Sequence, residues 1–174
     1  MLTLIGGGAR SGKSSFALSL GDSAIESGKK ALFIATAVAS DDEMAERIAT
    51  HKLERRREFH LIEEPLELAG VLRKSYEYEF IIVDCLTLWL SNLMQEDVEP
   101  NFDEVITSSK SLGASVIFVT NETGEGIVPM HPISRKFRDL SGRMNVFFAN
   151  QCDQVISMKF GIPMVLKQGL IDVK

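Results

Sequence analysis

Short apolar runs alternate along the chain with longer stretches whose apolar residues recur every three or four positions. Strands and helices taking turns give this pattern, which is that of an α/β protein with a mostly parallel sheet. Residues 2–5 read as a short apolar strand, 6–12 as a turn, and 13–26 as a helix that Gly28 ends. A second buried strand covers 31–37 (ALFIATA). Ser40 and Glu43 have the spacing of a capping box, which predicts a helix over 41–57. A short strand follows at 60–62, and Pro65 is expected to open a helix running to about Lys74. The run FIIV at 80–83 is a fully buried strand ending in Asp84. Helices are expected at 86–94 and 101–112, the first apolar and carrying Trp89. The strand at 115–120 ends in Asn121 and Glu122 and leads into a loop at 124–132. A helix over 134–151 and two strands, 154–160 and 164–167, complete the chain, with a hairpin around 161–163. No repeat, low-complexity segment or linker breaks the series, so residues 1–174 read as one domain with a doubly wound sheet. Ligands in such sheets bind beyond the C-terminal strand ends, so the 6–12 turn, Asp84 and Asn121–Glu122 are expected on one rim.

That turn is the most informative segment. Gly7, Gly8, Ala9, Arg10, Ser11, Gly12, Lys13 and Ser14 spell G-x-x-x-x-G-K-[ST] between a predicted strand and a predicted helix. Glycine lets the backbone curl until successive N–H groups point at one anion. The helix opening at Lys13 adds the positive end of its dipole. Lys13 supplies charge for the β- and γ-phosphates of ATP or GTP, and Ser14 a hydroxyl for Mg²⁺. Two roles fit Asp84: a second group for the metal, at the end of a buried strand, or a cap for the helix that follows. Glu122 fits either a role orienting metal, water or substrate, or one binding local backbone N–H groups.

Charge and composition narrow the partners. The chain has 174 residues, 45 % apolar and 25 % charged, with a net charge of −5. That acidic balance argues against nucleic acid as the main partner. No apolar run approaches a membrane span, and no secretory leader is expected from the residues before the phosphate loop. Cys85 and Cys152 have no metal or redox spacing, which fits a reduced, cytoplasmic protein.

One segment departs from the acidic character. In RIATHKLERRR, Arg47, His51 and Arg55 lie four apart and share one helix face, with Met44 and Ile48 beside them as anchors. Like charges at that spacing repel unless an anion relieves them. Flanking cations keep His51 neutral, and a neutral imidazole is a nucleophile that forms covalent intermediates. The same residues also suit a solvated basic face. His60 and His131 have no such setting.

Together these segments resemble the bifunctional adenosylcobinamide kinase / adenosylcobinamide-phosphate guanylyltransferases of cobalamin synthesis. The resemblance runs through GGARSGKS at 7–14, IATA at 34–37, DDEM at 41–44 and RIxxHK at 47–52. It continues through EEP at 63–65, VDCLTLWLSNL at 83–93, TNETGEGIVP at 120–129, FRDLSGRMN at 137–145 and GIP at 161–163. Phe59 stands where many members carry Trp, Thr123 where Val is usual, and Val146 where Gln is usual.

The resemblance implies a RecA-like P-loop NTPase fold, a homotrimer and two reactions. ATP or GTP phosphorylates the aminopropanol hydroxyl of adenosylcobinamide. GTP then guanylylates a histidine, here His51, and the GMP passes to adenosylcobinamide phosphate to give adenosylcobinamide-GDP. It carries nucleotide contacts onto residues 7–14, Ala35, Thr36 and Ala37, Lys52, Leu53, Glu54 and Arg55, Glu63 and Asp84. Lys13 and His51 become the catalytic pair, and Ser14 and Asp84 the Mg²⁺ groups. Three other readings of the residues stay open: a P-loop kinase of another small molecule with His51 only binding phosphate, a RecA-like ATP-binding module that drives a protein or nucleic-acid partner, and a nucleotide-regulated interaction protein without catalysis.

Overall fold

The computed structural model describes residues 1–39, 42, 46 and 56–168. Its strands are β1 (Leu2–Gly7), β2 (Ala31–Ala35), β3 (His60–Glu63), β4 (Phe80–Asp84), β5 (Ser115–Val119), β6 (Gln154–Lys159) and β7 (Ile162–Lys167). They form one sheet in the order β3-β2-β4-β5-β1-β6-β7. All neighbours are parallel except β6 and β7, which form an antiparallel hairpin. The described helices are α1 (Lys13–Glu26), α2 (Leu68–Lys74), α3 (Leu86–Gln95), α4 (Phe102–Lys110) and α5 (Pro132–Gln151).

The central strands are buried on both faces, as continuous apolar runs in a parallel sheet require. Alternate residues feed two cores. Leu4, Ile34, Ile81, Val83, Val116 and Phe118 pack with Leu68, Leu86, Trp89, Val105 and Phe148 of the later helices. Ile5, Phe33, Ile82, Ile117 and Ile156 pack with Ala17 and Leu18 of α1. Phe59 closes this second core, its ring edge-on to Phe33 and pressed against the bare backbone of Gly21. Trp89 is a core residue whose indole N–H reaches the carbonyl of Leu66 at 2.8 Å.

Three local expectations need correction. The helix expected from Pro65 begins at Leu68, because the Glu64 carboxylate accepts from the N–H groups of Leu66 and Glu67 and holds that stretch as a turn. The last helix begins earlier than position 134, with Pro132 in its first turn, where a missing N–H costs nothing. Arg56 and Arg57 lie outside any helix, so the one predicted to reach residue 57 stops short of it. Most of that predicted helix, with its capping box, lies outside the described residues.

Candidate active site

The parallel register places the sequence-predicted groups at one height. Ala35 at the end of β2 pairs with both Glu63 of β3 and Asp84 of β4, and Asp84 pairs with Val119 of β5. Ile5 pairs with Val119, and Gly7 with Met158 of β6. Glu63, Ala35, Asp84, Glu122 and the loop after Gly7 therefore stand along one C-terminal rim. Arg47, His51 and Lys52–Arg55 lie outside the described residues.

The loop is built by close backbone approach. Gly7 has φ +149°, and a Cβ there would lie 2.6 Å from the Met158 carbonyl oxygen and 2.7 Å from Ser11 Oγ. Arg10 and Gly12 also have positive φ, at 56° and 92°. Gly12 is the N-cap of α1 and gives no side-chain cap, so the first N–H groups of that helix are free of any side-chain partner from it. Gly8, Ala9 and Arg10 are exposed, while Ser11, Gly12 and Ser14 are half-buried.

Lys13 is the buried centre of this cradle, with 7 % of its surface exposed. Its ammonium donates to the Gly8 carbonyl at 2.6 Å and to Ser11 Oγ at 3.4 Å. Burial lowers its pKa from 10.5, against the opposing pull of Cys85, Asp84 and Glu122. Burial also pushes the Cys85 thiol up to about 12. Cys85 is thus uncharged at neutral pH, and the carboxylates of Asp84 and Glu122 are the anions facing Lys13 there. The Glu122 N–H donates to the Gly7 carbonyl at 3.1 Å, which fixes that residue against the loop.

Thr36 braces two strand ends with its side chain. It is fully buried, and its hydroxyl donates to the Cys85 carbonyl at 2.7 Å and accepts from the Cys85 N–H at 2.8 Å. Its own N–H donates to the Asp84 carbonyl at 3.1 Å. This side chain joins the ends of β2 and β4 and fixes Asp84 beside Lys13. Its neighbours Ala35 and Ala37 are the half-exposed ones.

A second polar brace went unread in the sequence. Asn121 N–H donates to Thr87 Oγ1 at 2.7 Å, Thr120 Oγ1 donates to Asn145 Oδ1 at 2.7 Å, and Asn145 Nδ2 returns to the Asn121 carbonyl at 3.2 Å. The loop carrying Glu122 is thereby tied to α3 and α5. The signal lay in the segments at 83–93, 120–129 and 137–145, but only the fold shows that they meet. Thr123, where Val is usual, has a buried hydroxyl with no hydrogen-bond partner among the described residues. Val146 is exposed on α5.

Relatives agree with this architecture. The model of the family described as cobinamide kinase / cobinamide phosphate guanyltransferase matches residues 3–166. The chain belongs to that family. It is 42 % identical to the bifunctional adenosylcobalamin biosynthesis protein CobP of Pseudomonas aeruginosa, covering 96 % of this chain and 98 % of that one. It is 32 % identical to the bifunctional adenosylcobalamin biosynthesis protein CobU of Escherichia coli, over 96 % of this chain and 100 % of the relative. Among solved structures, the flagellar accessory protein FlaH of Methanocaldococcus jannaschii superposes with a TM-score of 0.62 at 14 % identity, over 97 % of this chain and 79 % of that one. A KaiC-like protein of Pyrococcus horikoshii gives 0.55, also at 14 % identity, over 96 % and 78 %. Those two likenesses agree with the fold, a mostly parallel seven-stranded sheet flanked by helices of the P-loop NTPase-like kind. The enzyme is a bifunctional kinase and guanylyltransferase of cobalamin biosynthesis.

The brace at Thr36 gives a direct test. Thr36→Val removes the hydroxyl that bonds both Cys85 peptide groups; the carbonyl keeps the Trp89 N–H at 3.1 Å, but the buried Cys85 N–H loses its Thr36 acceptor, and stability should fall by about 2 kcal/mol, the cost of leaving a buried donor unmade. Thr36→Ser, which keeps the hydroxyl, should lose distinctly less. Urea melts of the two variants check this, and equal losses would mean the methyl group, not the hydroxyl, holds the strands.

Proposed function

We propose that this chain phosphorylates the aminopropanol hydroxyl of adenosylcobinamide with ATP or GTP, and then passes GMP from GTP through His51 to adenosylcobinamide phosphate. The observation that carries this reading is the rim itself. A buried lysine faces a phosphate-loop cradle from within, two carboxylates stand beside it, and the chain belongs to a family of this description.

Phosphoryl and nucleotidyl transfers are carried mainly by positioning and charge neutralisation. In the proposed kinase step the loop N–H groups and Lys13 hold the triphosphate while a substrate hydroxyl attacks the γ-phosphorus. In the proposed guanylyl step an imidazole nitrogen of His51 attacks the α-phosphorus, the bond to the β-phosphate breaks, and pyrophosphate leaves. A phosphate oxygen of adenosylcobinamide phosphate then attacks the same phosphorus, and the P–N bond breaks to free the imidazole. Splitting the transfer keeps much of the anhydride's energy in the phosphoramidate, so the second displacement needs no further activation. Arg47 and Arg55, four residues either side of His51 in sequence, supply further charge for the phosphates.

Mg²⁺ fits the donors at hand. Ser14 opens α1 half-buried and Asp84 ends β4 half-buried, both offering oxygen. That ion takes one or two protein oxygens and completes its shell with phosphate and water. When bound, it would neutralise charge on the phosphates. We also assign nucleotide contacts to Ala35, Ala37, Glu63 and the backbone of Thr36, and to Lys52, Leu53, Glu54 and Arg55, within one domain spanning 1–174. Two free, buried cysteines support a cytoplasmic setting.

A homotrimer is part of the same proposal. All six residues of β7, an edge strand, are exposed, and Ile162, Met164, Val165 and Leu166 are apolar. Ile127, Val128, Met130 and Ile133 are exposed as well. An apolar, unpaired edge of this kind needs covering.

Intact mass after incubation with GTP and Mg²⁺ tests the histidine. The parent should gain one GMP, the adduct should be lost in acid, and His51→Ala should gain nothing. No gain where GTP demonstrably binds would leave a kinase of a small molecule. Sedimentation equilibrium should return three chains per particle, and a monomer at micromolar concentration would remove the trimer.

A further inference from the structure

The two transfers use opposite ends of a triphosphate. Phosphoryl transfer breaks the bond between the γ-phosphorus and the β-phosphate oxygen. The acceptor oxygen forms the new bond, its proton is released, and a nucleoside diphosphate leaves with the electron pair. Guanylyl transfer breaks the bond between the α-phosphorus and the β-phosphate, and pyrophosphate leaves. A loop that serves both must present the γ-phosphorus to its reactive side in one case and the α-phosphorus in the other.

The two sides of this loop differ. Towards β5, β4 and β2 lie Glu122, Asp84 and Ala35. Towards β6 and β7 lies the hairpin turn Phe160–Gly161, between the paired Lys159 and Ile162. That turn rests on the loop: the Gly161 N–H donates to the Ser11 carbonyl at 3.2 Å, and its Cα lies 3.4 Å from where a Gly12 Cβ would stand.

Phe160 is out of keeping with its position. Both turn residues have positive φ, 53° and 78°, the conformation in which two-residue hairpins favour Asn-Gly. A bulky aromatic residue is disfavoured there. Its side chain is 97 % exposed, so packing within the chain does not account for it.

We propose that Phe160 is the stacking platform for the base of the phosphoryl donor, and that the loop binds nucleotides in two directions. With the base on Phe160, the γ-phosphorus faces the carboxylates and the phosphoryl acceptor. With the base turned towards β2 and β3, the α-phosphorus faces them instead and guanylyl transfer follows. Stacking on an aromatic ring accepts any base, so the phosphoryl step takes ATP and GTP alike. This inference rests on the proposed function, deepening it at the same loop.

The experiment compares the full chain with Phe160→Ala, Phe160→Asn and Phe160→Trp. One readout is KM for MgATP in phosphorylation of adenosylcobinamide; the other is KM for GTP in self-guanylylation, followed by intact mass. Phe160→Ala and Phe160→Asn should raise the ATP value about tenfold relative to the GTP value, in line with a lost base stack. Phe160→Asn should melt no lower than the parent, since Asn suits the turn. Phe160→Trp should keep the parent ATP value, and MgATP should quench its new indole emission. An unchanged ratio, or equal weakening of both nucleotides, would overturn the platform. So would a loss of assembly in Phe160→Ala, which would assign the ring to a subunit contact with β7. A parent that makes neither product would instead overturn the reading beneath it, whatever the Phe160 variants do.

Discussion

At position 7 the chain runs so close to β6 that a Cβ would lie 2.6 Å from the Met158 carbonyl oxygen. Only glycine allows that approach at φ +149°, and everything downstream depends on it. The backbone turns there, and the helix starts with Lys13 directed back over Gly8 rather than into solvent. The lysine is then buried, and a buried ammonium is costly unless opposite charge stands near it. Asp84 at the end of β4 and Glu122 in the loop after β5 meet that requirement.

Parallel strands turn this local arrangement into a rim. Equal register brings Glu63, Ala35 and Asp84 to the same height, with the loops after β5 and β1 beside them. Hydrogen bonds then hold the strand ends: Thr36 with Cys85, fully buried, on one side, and Thr87, Thr120, Asn121 and Asn145, partly buried, on the other. These side chains put the carboxylates in place before any ligand arrives, which is what electrostatic stabilisation of a transferring phosphoryl group requires. Apolar packing covers both faces of the sheet, while the polar side chains of the candidate site stand at its edge.

Much of this was legible in the chain. The apolar runs at β1, β2, β4 and β5 announced buried strands, and GGARSGKS announced the cradle, because its glycines and lysine answer to local requirements. Asp84 and Glu122 were readable as strand-end carboxylates. Strand order was not, since apolar runs do not say which strand lies beside which; the adjacency of β6 to β1 is what brings Phe160–Gly161 onto the phosphate loop. Nor was the brace at Thr36, whose hydroxyl binds Cys85, a partner 49 residues away that no local pattern indicates. Pro65 misled for a local reason: the Glu64 carboxylate occupies the N–H groups after it and delays the helix. His51, selected by its spacing from Arg47 and Arg55, lies outside the described residues.

One buried lysine, Lys13, is proposed to serve both transfers. Lys13→Met keeps the aliphatic stem and removes the charge, so its most direct test is to assay one folded preparation of that variant for both products. Phosphorylated adenosylcobinamide and guanylylated protein should each form on the order of a hundredfold more slowly or worse, the scale of losing a preorganised electrostatic contact. If either product still forms at the parent rate, that reaction does not run through this phosphate loop, and the single-cradle account is wrong.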